Sequence, residues 1–165
     1  MTHSEIIHSK LFINAEDFGP TLHQWKQEGR QLVFTNGCFD LVHRGHVDSL
    51  IKAAELGDRL IVGLNSDQSV KLLKGENRPL VDQQSRAVLL ASLLMVDAVV
   101  IFDEATPYEL IRSIQPDVLV KGSEYQIEEI AGSDIVLASG GRVERIDLTE
   151  GFSTTDLIQK IKERY

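Results

Sequence analysis

The sequence predicts an α/β fold, in which a doubly wound sheet of about five mainly parallel strands carries helices on both faces. Three observations support this prediction. Short β-branched and aliphatic runs alternate with longer amphipathic stretches along the chain. Some of these runs, such as Arg59–Leu64, are apolar enough to be buried on both faces, which is typical of parallel strands. Turns that contain Gly, Pro or Asp separate successive runs.

Local patterns predict the individual elements. Leu50, Ile51 and Ala54 recur at helical spacing, which indicates a helix that packs on a sheet. Asp82 precedes a stretch rich in Leu and Ala, as an N-cap does. The predicted strands are Gln31–Thr35, Arg59–Leu64, Ala98–Phe102, Asp117–Val120 and Arg142–Ile146. The predicted helices are Pro20–Glu28, Arg44–Leu56, Gln84–Leu94, a helix from Thr106-Pro107, Glu128–Ser139 and Thr154–Arg164, with a short helix after Asn65–Ser69 and a polar loop at Lys74–Leu80.

The 165 residues are predicted to form one domain, because the chain has no internal repeat, low-complexity segment or linker. We expect residues 1–30 to be a helical N-terminal extension and residues 31–165 to be the core of the fold. The longest apolar stretches, such as Ala87–Val96, are too short to cross a bilayer, and the N-terminus lacks the pattern of a signal peptide. Cys38 is the only cysteine, which excludes an intrachain disulfide. We therefore expect a cytoplasmic protein with no membrane partner.

The charge of the chain restricts its partners. Its formal net charge is −8, from 25 acidic and 17 basic residues. A protein that binds a long nucleic acid needs a basic face to neutralise phosphates, so we expect no nucleic-acid partner. A single small anion is not excluded, because local backbone amides and a few cations determine whether it binds.

The segment Thr35–His46 carries the strongest indication of function. It follows a predicted strand and opens a predicted helix, whose free amides favour phosphate in the cleft. Gly37 and Gly45 allow the backbone to approach a ligand closely. His43 and His46 are three residues apart, so both can face one bound anion. Imidazoles that donate to phosphoryl oxygens stabilise the charge that builds up in phosphoryl-type transfer.

Other interpretations of this segment remain open from the residues alone. His43 and His46 could simply cap the helix or pack against it. Together with Cys38 they could bind zinc, although no second cysteine–histidine pair completes a structural site. A dinucleotide site is a weaker interpretation, because the loop lacks the Gly-x-Gly-x-x-Gly pattern.

Two arginines lie close to this region in the predicted fold. Arg78, next to Pro79, could clamp a phosphate through two hydrogen bonds or form an ordinary surface ion pair. Arg86 lies inside an otherwise apolar helix, where its long stem allows the guanidinium to reach the cleft.

Asn36-Gly37-Cys38-Phe39-Asp40, followed by His43-x-Gly45-His46, resembles the first signature of the cytidylyltransferase-like superfamily of nucleotidyltransferases, whose fold is Rossmann-like. Ser153-Thr154-Thr155 is similar to its second signature, which holds the β- and γ-phosphates. From about Gln31 onward the chain resembles the adenylyltransferase domain of the ADP-heptose synthases. Those enzymes join AMP from ATP to D-glycero-β-D-manno-heptose 1-phosphate and release pyrophosphate. The motifs of this narrower resemblance are Gly57-Asp58-Arg59-Leu60, Asn65-Ser66-Asp67, Leu73-Lys74-Gly75, Arg78-Pro79, Val120-Lys121-Gly122 and Glu129-Ile130-Ala131-Gly132.

The resemblance implies roles for individual residues. His43 and His46 would stabilise the α-phosphate and the leaving group, and Lys74 would align the attacking phosphate. Mg²⁺ would enter on the triphosphate rather than through direct protein ligands. The implied nucleotide-binding residues are Asn36, Gly37, Cys38, Phe39, Asp40, Gly45, Lys121, Gly122, Ser153, Thr154 and Thr155. The implied substrate-binding residues are Lys74, Arg78, Asn65, Asp67, Glu124 and Tyr125.

The resemblance also has departures and rivals. Gly122-Ser123-Glu124-Tyr125 stands where these enzymes often carry Gly-Gly-Asp-Tyr, and the chain is similar to a stand-alone form without the sugar kinase domain. We expect ATP and a sugar 1-phosphate as partners, in a homo-oligomer. One alternative is a CTP-dependent cytidylyltransferase for glycerol 3-phosphate or another polyol phosphate. The other is a nucleotide-binding regulatory module without turnover.

Overall fold

The computed structural model describes residues 1–165 as one parallel sheet with helices on both faces. All neighbouring strands pair in parallel. The strands are β1 (Leu11–Phe12), β2 (Leu32–Gly37), β3 (Arg59–Asn65), β4 (Ala98–Phe102), β5 (Val118–Gly122) and β6 (Arg142–Ile146), in the spatial order β1-β4-β3-β2-β5-β6. The helices are α1 (His3–His8), α2 (Ala15–Gln27), α3 (Arg44–Ala54), α4 (Asp67–Lys74), α5 (Gln83–Ala91), α6 (Tyr108–Ile114), α7 (Ser133–Ala138) and α8 (Thr154–Arg164), with a 3-10 turn at Ile127–Glu129.

The predicted fold class is confirmed, and the sheet has one strand more than the five read from the sequence. The additional strand, β1, lies in the N-terminal extension and pairs with β4, so Leu11 is opposite Val99. Two residues are too few to show a strand periodicity, which explains why the sequence did not reveal it. No helix has the length and apolar character needed to span a membrane.

The core has two layers, one on each face of the sheet. Val33 of β2 and Val62 of β3 point toward α3 and α5, whereas their neighbours Phe34 and Ile61 point toward α2, α6 and α7. Successive side chains of a strand alternate between faces, so one strand supplies both layers. Each such fully buried aliphatic or aromatic side chain contributes about 1.5–3 kcal/mol. These layers hold the central strands rigidly.

Several helix boundaries differ from the prediction, among them the end of α5, which lies at Ala91 rather than Leu94. The predicted helix Glu128–Ser139 is broken at Gly132, which has φ 85° and separates the 3-10 turn from α7. Helix α2 begins before Pro20, because Asn14 caps it by accepting a hydrogen bond from the Asp17 amide (2.8 Å). Lys74 is the last residue of α4 rather than part of the following loop.

The strand order fixes where a ligand can bind. From β2 the chain moves to β3 and β4 on one side, and β5 later returns to pair with the other side of β2. The connections that leave the carboxyl ends of β2 and β5 therefore diverge and open a crevice. Ligands of open α/β sheets bind at such a switch point.

Candidate active site

A cavity with a volume of about 690 Å³ lies in this crevice. That volume is within the usual range of sites for small molecules and cofactors. Most of the residues that the sequence predicted line it. They are Asn36, Gly37, Cys38, Phe39, Asp40, His43, Gly45, His46, Asn65, Lys74, Arg78, Lys121, Tyr125, Ser153, Thr154 and Thr155.

The two histidines form a fixed pair at the start of α3. His43 is the N-cap, and its Nδ1 accepts a hydrogen bond from the Gly45 amide at 3.1 Å. The Nδ1 of His46 accepts from the His43 amide at 3.3 Å, and the two rings stack with centroids 3.8 Å apart. A neutral imidazole whose Nδ1 accepts carries its proton on Nε2. Each ring therefore has an Nε2–H that it can donate to a ligand.

Burial keeps both rings neutral. It lowers the pKa of His46 to about 4, with a further contribution from the neighbouring His43, and it also lowers the pKa of His43. Phe39 packs 5.1 Å from His46, and Phe152 lies 6.4 Å from His43, between ring centroids. The pair thus lies in an aromatic column between Phe39 and Phe152, and it offers neutral hydrogen-bond donors.

Lys74 supplies an exposed cation that is free of ion pairs to the cavity. It ends α4, where Gly75 turns the chain with φ 93°. Its side chain is exposed and takes part in none of the ion pairs of the chain. An unpaired ammonium at the rim of a cavity can move onto an anion without first breaking a bond within the protein.

Asp40 and Arg78 line the same cavity but bind each other. The carboxylate of Asp40 accepts hydrogen bonds from the Arg78 guanidinium and from the amides of Leu80 (2.8 Å) and Val81 (2.9 Å). Burial raises the pKa of this carboxyl, but the two amides and Arg78 together bring it below its ordinary value. The side chain of Asp40 is 0% exposed, so its geometry suits holding the loop before α5 more than touching a nucleotide.

Three other predicted residues lie outside the main cavity. Gly122 and Glu124 line an adjoining cavity of about 310 Å³, and Asp67 lines neither. Instead, Asp67 forms an ion pair with Arg86 at 2.8 Å. The guanidinium of Arg86 is fully buried and does not reach the main cavity, contrary to the expectation from its long stem.

The adjoining cavity lies under the end of β5. Lys121 contributes to both cavities, and its Nζ lies 5.4 Å from the centre of the Tyr125 ring. Burial lowers the pKa of Lys121, and the nearby Glu124 carboxylate opposes this shift. Cys38 also borders both cavities, and burial raises the pKa of its thiol. The thiol therefore stays protonated and does not act as a nucleophile at neutral pH.

The start of α8 borders the cavity with Ser153, Thr154 and Thr155. Ser153 is the N-cap, and its Oγ accepts a hydrogen bond from the Asp156 amide at 2.9 Å. Thr154 donates from Oγ1 to the Leu41 carbonyl at 3.4 Å, which brings the helix start next to the loop of the histidines. The free amides of this first turn are suited to phosphate oxygens.

Sequence reasoning missed part of the lining. Thr149 and Phe152 border the cavity from the segment before α8, and the Thr149 hydroxyl donates to Asp48 of α3 at 3.0 Å. Thr106 and Pro107 border it from the segment after β4. No spacing marked these residues, because their contacts are with distant parts of the chain.

No group of three or more His, Cys, Asp or Glu side chains is arranged to hold a metal ion. The zinc interpretation of Cys38, His43 and His46 also conflicts with the hydrogen bonds described above, which commit the Nδ1 atom of each ring to a backbone amide.

Two solved structures share this fold. A lipopolysaccharide core biosynthesis protein from Thermoplasma volcanium is 25% identical, with a TM-score of 0.58 over 73% of this chain and 98% of that chain. A pantoate-beta-alanine ligase from Francisella tularensis is 15% identical, with a TM-score of 0.61 over 92% of this chain and 76% of that chain. At that identity, the second likeness concerns the fold alone.

Curated relatives are closer in sequence. The bifunctional protein HldE of Syntrophotalea carbinolica is 49% identical over 165 residues, and that of Wolinella succinogenes is 56% identical over 139 residues. The alignments cover 100% and 84% of this chain but only 34% and 28% of those proteins, so the chain spans about a third of their length. Residues 34–160 match the family described as cytidylyltransferase-like, and the chain belongs to this family of nucleotidyltransferases.

Proposed function

We propose that the chain is an adenylyltransferase that transfers AMP from ATP to D-glycero-β-D-manno-heptose 1-phosphate, giving ADP-heptose and pyrophosphate. The observation that carries this proposal is the convergence of two neutral Nε2–H donors and one free ammonium, from His43, His46 and Lys74, on one cavity. The identity to the HldE proteins supports the choice of nucleotide and sugar. The structural likeness to a lipopolysaccharide core biosynthesis protein agrees with it.

The reaction is an in-line displacement at the α-phosphorus. A phosphate oxygen of the sugar forms the new P–O bond, the bond to the bridging oxygen of pyrophosphate breaks, and pyrophosphate leaves with the electron pair. His43 and His46 donate to oxygens of the α-phosphate and the leaving group as negative charge shifts onto them. Lys74 holds the acceptor phosphate against the α-phosphate and offsets the repulsion between the two anions. Positioning of this kind contributes about 7–11 kcal/mol in favourable cases.

The remaining residues bind and orient in this scheme. The amides at the start of α8 and the hydroxyls of Ser153–Thr155 face the β- and γ-phosphates, as in other helix starts that hold phosphate. Asn36–Gly37 and Lys121, at the ends of β2 and β5, border the nucleotide. Arg78 is close enough to the rim to assist Lys74, although Asp40 already occupies its Nε.

Magnesium enters this proposal with the triphosphate. The chain has no acidic cluster that would form a dedicated site, and Mg²⁺ prefers substrate phosphates with few protein ligands. Bound there, the ion neutralises charge on the phosphates, while the chain supplies the donors and the ammonium described above.

Two broader features belong to the same proposal. We place the reaction in the cytoplasm, where ATP is available. We also expect a homo-oligomer, because apolar side chains stay exposed near α5: Leu89 is 50% and Leu94 is 96% exposed. Light scattering of the purified chain measures the oligomeric state, and a monomer would contradict this part alone.

The test is pyrophosphate release in the presence of magnesium, with ATP or CTP offered against heptose 1-phosphate or glycerol 3-phosphate in all four pairings. The proposal expects turnover with ATP and heptose 1-phosphate only. Turnover with CTP would support nucleotidyl transfer but contradict ATP as the nucleotide substrate. Protein that binds a nucleotide but is silent in every pairing would indicate a regulatory module.

A matched pair of lysine variants connects this assay with the site. Lys74 lines the cavity, whereas Lys71, one turn earlier on α4, does not. Lys74→Ala should lower kcat/KM strongly, and Lys71→Ala should leave it close to the wild-type value. Equal losses in both variants would contradict the assigned role of Lys74.

A further inference from the structure

Arg86 is the largest side chain that is fully buried, with 0% exposure, although it carries a permanent charge. Its guanidinium makes four hydrogen bonds. Nη1 donates to the carbonyls of Cys38 (2.6 Å) and Asn65 (2.8 Å), and Nε donates to that of Val81 (2.8 Å). Nη2 donates to the carboxylate of Asp67 at 2.8 Å. Charged groups are buried in this way only where their partners are fixed in place.

The partners of Arg86 lie on different sides of the active site. Cys38 is in the loop that leads from β2 to the histidine pair. Asp67 is the first residue of α4, whose last residue is Lys74. Asn65 ends β3, next to β2 in the sheet. One planar guanidinium therefore connects the loop that holds His43 and His46 with the helix that carries Lys74.

A second connection runs parallel to the first. Val81, whose carbonyl accepts from Arg86, donates its own amide to Asp40 at 2.9 Å. Asp40 belongs to the same loop as Cys38 and also binds Arg78. Arg78 and Val81, both in the loop between α4 and α5, thus hold this loop against Asp40 of the histidine loop. Arg86 is the member of this network that reaches α4 directly.

Packing alone does not account for this residue. A buried aliphatic side chain would fill the same volume without the cost of burying a charge, and such replacements are often neutral or stabilising. What an aliphatic residue does not provide is a rigid fork of donors that fixes three carbonyls and a carboxylate relative to each other. The bonds of Arg86 therefore control geometry more than they add to stability.

We propose that Arg86 is a positioning residue for the transfer reaction: it sets the distance between the histidine pair and Lys74 without touching either substrate. This inference rests on the proposed function, since it concerns two groups that act on the reacting phosphates. A displacement of about 1 Å between reacting groups costs roughly 100-fold in rate, so a lost connection between the two sides has a large effect.

The first variant is Arg86→Lys, which keeps the charge but replaces the planar fork by a single ammonium. We expect kcat to fall roughly 100-fold, with a much smaller change in the dissociation constant of ATP measured by calorimetry. Arg112→Lys is the matched control, because Arg112 is an exposed arginine on α6 away from the cavity. It should retain wild-type kcat.

The second variant guards against misfolding of the first. Asp67 has a side chain that is 39% exposed, so Asp67→Asn should fold normally while it weakens the bond between Arg86 and α4. Replacing this charged hydrogen bond by a neutral one should lower kcat about 10-fold. Unchanged kcat in folded Asp67→Asn would overturn the inference even if Arg86→Lys did not fold.

The decisive measurement is a double-mutant cycle with Lys74→Ala. If Arg86 acts by placing Lys74, its replacement should cost much less once Lys74 is absent, below about 10-fold instead of roughly 100-fold. A purely structural role would give the same loss in both backgrounds. Such additivity would overturn this inference but would leave the proposed function standing. Wild-type protein that releases no pyrophosphate in any substrate pairing would overturn the proposed function, and this inference with it.

Discussion

Helices α3 and α8 both begin at the active-site cavity, but only α3 is anchored in the core. Gly45, Leu50 and Ala53 of α3 are buried, and the helix packs against β2, β3 and β6. Helix α8 starts at Ser153, next to the loop of the histidines, and has no buried residue. The two helix starts therefore differ in how firmly the rest of the fold holds them.

The contacts of α8 with the rest of the molecule are weak and few. Near its start, the Thr154 hydroxyl reaches the Leu41 carbonyl at 3.4 Å, and the guanidinium of Arg44 lies 6.0 Å from the Phe152 ring centre. Segments with few buried contacts open at low free energy. Under the proposed function this difference implies a division of labour, in which α3 would hold preorganised donors for the chemical step and α8 would adjust its position when the triphosphate binds.

The largest effect should come from the anchored helix start. His46→Ala removes one Nε2–H donor from a site that needs no rearrangement, and loss of such a donor typically lowers kcat by about 10²–10³-fold. Steady-state kinetics of pyrophosphate release measures it. His23→Ala, at an exposed histidine of α2, is the control and should leave kcat unchanged. A His46→Ala enzyme with wild-type kcat would show that the start of α3 does not act in the chemical step.

The next variant tests whether the starts of α3 and α8 depend on each other during turnover. A Cβ on Gly45 would lie 2.9 Å from the Phe152 Cβ and 3.0 Å from the His43 Cε1. Gly45→Ala must therefore shift either Phe152 on the α8 side or the His43 ring, and we expect kcat/KM to fall about 10-fold or more. Gly19→Ala in α2 meets no atom within 4 Å and serves as the control. Normal kinetics in Gly45→Ala would mean that the two starts act independently.

The sequence could predict the parts of the site that local patterns encode, but not the parts that depend on contacts between distant residues. The histidine pair, its glycine and the Ser153–Thr155 turn are local patterns, so strand–loop–helix reasoning located them at the cavity. The bond of Asp40 to Arg78, in contrast, could not be predicted from a local pattern. This bond joins residues 38 positions apart, and no local spacing encodes such a contact.

Arg86 shows the limit of sequence reasoning more clearly. A single arginine in an apolar helix is compatible with a head in the cleft or in the core, and only the tertiary structure decides between them. Its bond to Cys38 spans 48 positions. The fold class was predictable because it depends on repeated patterns, whereas the two-residue β1 and the break at Gly132 depend on single contacts and single backbone angles.

A smaller effect should come from the start of α8, the helix that has no buried residue. Ser153→Ala removes the N-cap of α8, which typically costs about 1 kcal/mol of helix stability. Because α8 is not part of the core, we expect KM for ATP to rise about fivefold while kcat changes little. Thr2→Ala removes the equivalent cap of α1 and controls for a cap loss far from the cavity. A fall in kcat as large as that of His46→Ala would contradict the division of labour.

The smallest effect concerns pH. Around neutrality we expect the protonation of His46 in the folded protein to stay unchanged. Burial lowers the pKa of His46 from 6.5 to about 4, so the folded protein does not take up this proton as the pH passes 6.5. The unfolded chain does, and between pH 6.5 and about 4 it binds more protons than the folded one, so stability falls as the pH is lowered through this window. The start of α8 contains no histidine. Titration of the His46 ring by NMR should give a midpoint near 4, and denaturant unfolding of His46→Gln should lack this part of the acid destabilisation. A midpoint at 6.5 would mean that the ring is solvated, and that the α3 start is no more preorganised than that of α8.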